Sequence, residues 1–219
     1  MFELILFDLD GTLTDPKEGI TNCVKYALKS FGITENDENK LLKFIGPPLY
    51  DSFRTLYGFS ENDANIAVKK YRERFSSIGI FENRIFPDTK NALSSLKNAG
   101  KKLALATSKP YVFAEEVLKN FKIFDLFDYK VGADLDGKRC YKDEVIREVL
   151  RLAEPCDLSE VIMIGDRKND ILGAKKCRIK SIGLKCGYAE PYELENAGAD
   201  YIFGNLKEAA DFVLFQQNA

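Results

Sequence analysis

Residues 1–15 read MFELILFDLDGTLTD, and the fold follows from how this stretch ends. Leu4 to Phe7 is an apolar run closed by turn residues, and residues 3–8 therefore predict a buried strand. The run stops at Asp8, a second carboxylate follows at Asp10, and Gly11 comes next. Carboxylates at i and i+2 of an extended chain project to the same side. A strand that ends this way sets two negative charges together, and something must hold them.

The rest of the chain supplies the setting. After Asp15-Pro16-Lys17-Glu18, a helix start with Asp as N-cap and Pro at N1, come Ile20, Cys23, Val24, Ala27, Leu28 and Phe31 at helical spacing, with Gly32 as the stop. Residues 37–45, 49–57 and 60–77 also predict helices, the last capped by Ser60 with Asp63 and carrying the stripe Ala64, Ala67, Val68, Tyr71 and Phe75. No strand is expected between about 16 and 80. After Pro87 strands alternate with helices: a helix at 88–99 leads to a strand at 102–106, and a helix after Pro110 to a strand at 129–133. A helix at 142–153 then leads to a strand at 161–164. A helix at 169–176, strands at 179–184 and 201–203 and a helix at 206–215 complete the chain. Alternating elements imply a parallel sheet with helices on both faces. The expected fold is therefore α/β, a Rossmann-like core of residues 1–15 and 81–219 with an all-helical insertion at 16–80.

Composition narrows the chemistry. The chain has 219 residues, 45% hydrophobic and 30% charged, as in a soluble globular protein. Lys+Arg at 32 against Asp+Glu at 34 gives no footprint for nucleic acid or an anionic membrane. The first apolar run is short, broken by Glu3 and not preceded by a basic segment, so no signal peptide is expected, and no stretch reaches the ~20 apolar residues of a membrane span. Cys23, Cys140, Cys156, Cys177 and Cys186 are dispersed without a CxxC pair and read as reduced thiols of a cytoplasmic protein. Cys140 and Arg147 stand one residue too far apart for a thiol-phosphatase loop. There is no histidine, which removes histidine-activated nucleophiles, phosphohistidine and His-ligated zinc. Carboxylates, lysine, hydroxyls and oxygen-bound metal remain.

Ligands of open parallel sheets bind beyond the carboxyl ends of the strands. Here those ends read Asp8-Leu9-Asp10-Gly11-Thr12, Thr107-Ser108-Lys109 and Gly165-Asp166-Arg167-Lys168-Asn169-Asp170. Taken singly, the Asp-Gly is a turn, Thr107 a helix cap, the Asp166–Asp170 pair a helix start and Lys142 a solvated residue. Together they place carboxylates and hydroxyls at three strand ends. Asp8 and Asp10 packed near Asp166 would repel in a partly dry site. A divalent cation resolves this, and Mg²⁺ prefers octahedral oxygen ligands, few of them carboxylates.

AspLeuAspGlyThr at 8–12, Thr107, Lys142 and GlyAspArgLysAsnAsp at 165–170 resemble the four motifs of the haloacid dehalogenase-like superfamily. The resemblance spans essentially the whole chain, and the insertion is similar to the helical cap of phosphoglycolate-phosphatase-like members, as is the tail at 193–202. It implies Mg²⁺-dependent hydrolysis of a small phosphomonoester, phosphoglycolate- or nucleotide-like, by a monomer or dimer with no nucleic-acid or membrane partner. In that pattern Asp8 is the nucleophile and Asp10 the acid and base. Mg²⁺ is held by Asp8, the Asp10 carbonyl and Asp166, and Asp170 orders them. Thr107 and the Ser108 amide bind phosphoryl oxygens, and Lys142 offsets charge. Asp10 separates the chain from the dehalogenases, which lack it. A phosphosugar mutase is the alternative enzyme, from which Thr12 leans away, and a metal- or phosphate-binding regulator the non-catalytic one. The Pro-x-Pro that many relatives place after the third-motif lysine is missing from 138–145, so Lys138 rivals Lys142; Lys142 is preferred because it opens a helix. PheIleGlyProPro at 44–48 is either a substrate-facing loop or a plain interhelix turn. Lys43, Arg54 and Lys109 read as surface residues, with contact to an anionic substrate as the alternative.

Overall fold

The computed structural model describes residues 1–155 and 157–215, so Cys156 lies outside the described residues. The chain divides into two compact units, Met1–Asp15 with Ile85–Ala219, and Pro16–Arg84.

The first unit opens with β1 (Leu4–Phe7) and the two-residue β2 (Thr14–Asp15). The second holds α1 (Lys17–Lys29), α2 (Glu38–Leu42), α3 (Leu49–Tyr57) and α4 (Glu61–Arg74), and α4 runs into a π-turn at Phe75–Gly79. Its core is aromatic: Phe44 and Phe53 meet edge to face at 4.9 Å, and Phe53 stacks on Phe59 at 5.9 Å. Phe44 and Ile45 of the 44–48 segment are buried there, and Pro48 opens α3. Arg54 pairs with Glu61 at 3.7 Å. The boundary after Arg84 falls four residues beyond the expected one, since Arg74 Nη1 donates to Glu82 Oε2 at 2.7 Å and the Gly19 N–H to Glu82 O at 3.0 Å.

The chain returns through β3 (Arg84–Ile85) and continues as α5 (Thr89–Asn98), β4 (Lys102–Pro110), α6 (Tyr111–Asn120), β5 (Tyr129–Ala133), α7 (Lys142–Ala153), β6 (Val161–Gly165), α8 (Lys168–Lys176), β7 (Lys180–Leu184), α9 (Glu193–Ala197), β8 (Tyr201–Phe203) and α10 (Leu206–Phe215). Six strands form one parallel sheet in the order β5-β4-β1-β6-β7-β8. β1 is buried throughout, as an apolar run covered on both faces should be. Leu4 and Leu6 join Ala104, Ala106, Met163, Val145 and Val149 in a core beneath α7. The alternate residue Phe7 points to the other face and meets Phe127 edge to face at 6.1 Å. Phe7 lies level with Leu105 and Ile164, so β1 and β6 end within a residue of each other while β4 runs on past them. β1 is also where the strand order reverses, the position at which such sheets bind ligands.

Two sequence expectations need correction. Asp15 does not cap α1: the N-cap is Pro16 and no side chain caps it, while Asp15 accepts the Tyr188 hydroxyl. β4 does not stop at Ala106 but runs to Pro110, with its register shifting between those residues. Among the described residues no helix is long and apolar enough to cross a membrane.

Candidate active site

Side-chain parity along β1 decides what meets at its end. Leu4 and Leu6 face α7, and Asp8 is the next residue of that series. Its N–H still pairs with β6, donating to Ile164 O at 3.0 Å. Lys142, the first residue of α7, reaches the same spot. Its Nζ lies 2.8 Å from Asp8 Oδ1 and 2.8 Å from Asp170 Oδ1, and donates to Ala106 O at 3.0 Å. Burial works against this charge, but Asp170 and Asp8 outweigh it and hold the ammonium above its ordinary pKa. The Lys138 side chain is 83% exposed and paired with Asp136. The structure brings Lys142 to the carboxylates and leaves Lys138 outside.

Past Asp8 the chain turns. Leu9 O accepts from the N–H groups of Leu13 at 2.9 Å and Thr14 at 3.1 Å. Gly11 takes φ +87°, and a Cβ there would stand 2.2 Å from Asp166 Oδ2. Glycine is thus demanded both by the sign of φ and by the carboxylate against it. Asp166, at the end of β6, is fully buried and accepts from Thr12 Oγ1 at 3.0 Å and from the Tyr188 N–H at 2.8 Å. Burial first, then the charges of Asp170 and Asp8, push its carboxyl up to about 8. Asp170, in the first turn of α8, accepts the Arg167 N–H at 3.1 Å, and burial raises its pKa against the pull of Lys142. Asp8, Asp166 and Asp170 each offer a carboxylate oxygen, all within 4.8 Å of one another.

Asp10 stands beside this cluster. Its Oδ2 accepts from Lys109 Nζ at 2.7 Å, while its Oδ1 is buried with no hydrogen-bond partner among the described residues. Burial, opposed by Lys109 and aided by Asp8, raises its pKa. Lys109 is therefore no surface residue; it is 9% exposed, in the part of β4 where the register shifts, and its ammonium pairs with Asp10. Thr107 is buried in the same strand, where its Oγ1 accepts the Lys109 N–H at 3.2 Å, and is not a helix cap; Ser108 is half-buried beside it. Thr12 and Tyr188 were not expected as partners of Asp166. Thr12 sits within the first motif, but nothing in the sequence around Tyr188 points to it.

This set fits a hard divalent cation. The donors are all oxygen, and four carboxylates (Asp8, Asp10, Asp166, Asp170) face two ammonium groups (Lys109, Lys142). With all six charged, the excess is two negative charges, those of one divalent ion.

A sheet whose inner strands carry this cluster at their carboxyl ends is the frame of a phosphoryl-handling hydrolase. The chain belongs to the haloacid dehalogenase-like hydrolases, whose family model matches residues 5–184. It is 46% identical over 190 residues to the 5'-nucleotidase of Pseudomonas aeruginosa, covering 87% of this chain and 86% of that one. It is 30% identical over 218 residues to the phosphoglycolate phosphatase of Colwellia psychrerythraea, covering 94% of each. The solved structure of "a predicted phosphatase" from Clostridium acetobutylicum matches with a TM-score of 0.95 at 44% identity, covering 98% of this chain and 99% of that one. The protein is a phosphoric monoester hydrolase of this family, and the mutase and regulator alternatives are not favoured.

Proposed function

We propose that the chain hydrolyses a small phosphomonoester with Mg²⁺ through a phosphoryl group carried on Asp8. The observation behind this reading is the meeting of Asp8, Asp166 and Asp170 within 4.8 Å beside the buried Lys142. An Asp8 oxygen attacks phosphorus as the bond to the ester oxygen breaks, and Asp10 gives that oxygen its proton. Asp10 then takes a proton from water, whose oxygen attacks phosphorus and frees Asp8. The Thr107 hydroxyl and the Ser108 N–H hold phosphoryl oxygens, and Lys142 balances charge between nucleophile and phosphate. Asp8, Asp166 and the Asp10 carbonyl would hold Mg²⁺, with Asp170 set behind them because its oxygens already face Lys142 and the Arg167 N–H. The ion would supply charge neutralisation for phosphoryl transfer.

The substrate class is a small phosphorylated metabolite. The name of the 46% identical relative supports placing nucleoside monophosphates first, and that of the 30% identical one supports phosphoglycolate. The dispersed cysteines, with no CxxC pair among them, support a reducing, cytoplasmic setting. The test is phosphate release from nucleoside monophosphates, phosphoglycolate, other small phosphomonoesters and pyrophosphate, with Mg²⁺ or EDTA, by wild type and Asp8→Asn. Release that needs Mg²⁺ and vanishes in the variant is expected. Equal release by the variant would overturn the Asp8 route.

A further inference from the structure

Lys109 is the second cation of the site, and the four-motif pattern gives it no task. Its side chain is 5% exposed and spans from β4 to the strand next to it, ending 2.7 Å from Asp10 Oδ2. Its own N–H donates to Thr107 Oγ1 at 3.2 Å. One residue thus binds the hydroxyl at the end of β4 through its backbone and the carboxylate after β1 through its side chain. The consequence shows on Asp10. One oxygen is fixed by the ammonium, and the other, Oδ1, is buried without a hydrogen-bond partner. A buried carboxylate oxygen left so is costly unless a ligand completes it. Lys142 does not share this task, since its Nζ lies against Asp8 and Asp170. Each of the two carboxylates after β1 therefore has its own lysine.

We propose that Lys109 is a positioning residue that anchors Asp10 through Oδ2 and so makes Oδ1 the oxygen that exchanges the proton with the substrate. The inference rests on the assignment of Asp10 as acid and base above. In the first half-reaction the Oδ1 proton passes to the ester oxygen while the bond from that oxygen to phosphorus breaks and the Asp8–phosphorus bond forms. In the second, Oδ1 recovers a proton from water as the water oxygen bonds to phosphorus and the Asp8–phosphorus bond breaks. Atoms and charge balance with no further reactant. A rotating Asp10 would present either oxygen, or neither, and near-attack geometry would be lost.

The test separates positioning from binding by the leaving group. A simple alkyl monophosphate needs its departing oxygen protonated, whereas p-nitrophenyl phosphate leaves as a stabilised anion. kcat/KM reports the step that breaks the ester bond, whatever the rate of the second half-reaction. For Lys109→Met the expected result is a fall in kcat/KM of about 100-fold on the alkyl ester and about tenfold or less on p-nitrophenyl phosphate. Lys109→Arg, which keeps the charge, should recover part of the alkyl-ester loss. Equal losses on both esters, or a rise in KM with kcat unchanged, would overturn the inference and make Lys109 a structural or phosphate-binding residue. If Lys109→Met does not fold, Lys109→Arg carries the same comparison, since a displaced Oδ1 still costs the alkyl ester more. Asp10→Asn is measured alongside. A steep alkyl-ester loss there with none in the lysine variants overturns the role of Lys109 alone. No such loss in Asp10→Asn overturns the acid/base assignment itself, and the inference with it.

Discussion

Asp166 shows how one side chain can serve a site and strain the fold. It is fully buried among other carboxylates, and its carboxyl is pushed up to about 8. A carboxylate whose folded pKa lies above its unfolded value of 3.8 contributes most to stability below that value. The contribution is lost as pH rises toward about 8, and at neutral pH the difference is worth a few kcal/mol. Asp166→Asn should therefore raise the melting temperature in EDTA by several degrees at pH 8 and by little near pH 4, while abolishing Mg²⁺-dependent phosphate release. A lower melting temperature for the variant in EDTA at pH 8 would show that the charge is not the burden. Gly11→Ala should fail on both counts: its Cβ falls 2.2 Å from Asp166 Oδ2 and its φ is +87°. A loss of 1–3 kcal/mol or more, about the cost of such backbone strain, is expected in urea melts, together with loss of activity. The meeting of Asp8, Asp10 and Asp166 was legible because, although each alone reads as a turn or a helix start, the strand order of a parallel sheet brings the ends of β1 and β6 together. Lys109 was not, because a single lysine after a Thr-Ser pair reads as loop, whereas β4 continues through it to Pro110.

At the scale of elements, the loop from Asp166 to Asp170 is held by a helix that the sequence did not announce. α9 has five residues, too few for an apolar period, and its N-cap Tyr192 takes φ +63°, which no sequence rule asks of tyrosine. Its Glu193 nevertheless fixes the start of α8. Arg167 Nε donates to Glu193 Oε1 at 2.9 Å with both side chains 6% exposed, and the Lys168 and Glu190 N–H groups donate to it at 2.8 and 3.0 Å. Burial raises the Glu193 pKa, but Arg167 and these donors overrule it, and the net shift is downward. Glu193→Gln removes the buried carboxylate that Arg167 pairs with and should cost about 3–5 kcal/mol in urea melts. The sign with pH follows from the lowered pKa: the stabilisation is present above the ordinary 4.5 and lost as pH falls through the folded value. The deficit of the variant should narrow accordingly in acid. A deficit that does not change with pH would assign the effect to packing. Longer helices such as α3, α7 and α10 carry full periods and clear boundaries, and the structure places them, like the strand β5, where the sequence does. Asp15 misled because Asp-Pro before a helix is a strong capping signal, here overridden by its bond to Tyr188.

At the scale of the whole chain, connectivity separates the binding chemistry from the insertion. β1 must find β4 and β6 across the intervening Pro16–Arg84 unit, and this pairing sets Asp8 between the two strands that carry Lys109 and lead to Asp166. Asp8, Asp10, Asp166, Asp170, Lys109 and Lys142 all belong to the unit of Met1–Asp15 and Ile85–Ala219. Divalent-ion binding should therefore be felt as stabilisation of that unit. At 100 times its dissociation constant the ion adds about 2.7 kcal/mol to whatever unfolds with the site. Two compact units need not melt as one, so a single melting temperature would blur this, whereas hydrogen exchange followed peptide by peptide keeps it apart. With Mg²⁺, peptides from β1, β4, β6 and α8 should exchange roughly 100-fold more slowly, and those from α1 to α4 should be unchanged. The Asp166→Asn protein should show neither effect. Protection that rises equally in both units would mean that the chain opens as one cooperative body. Protection confined to α1–α4 would place the ion somewhere other than the three aspartates.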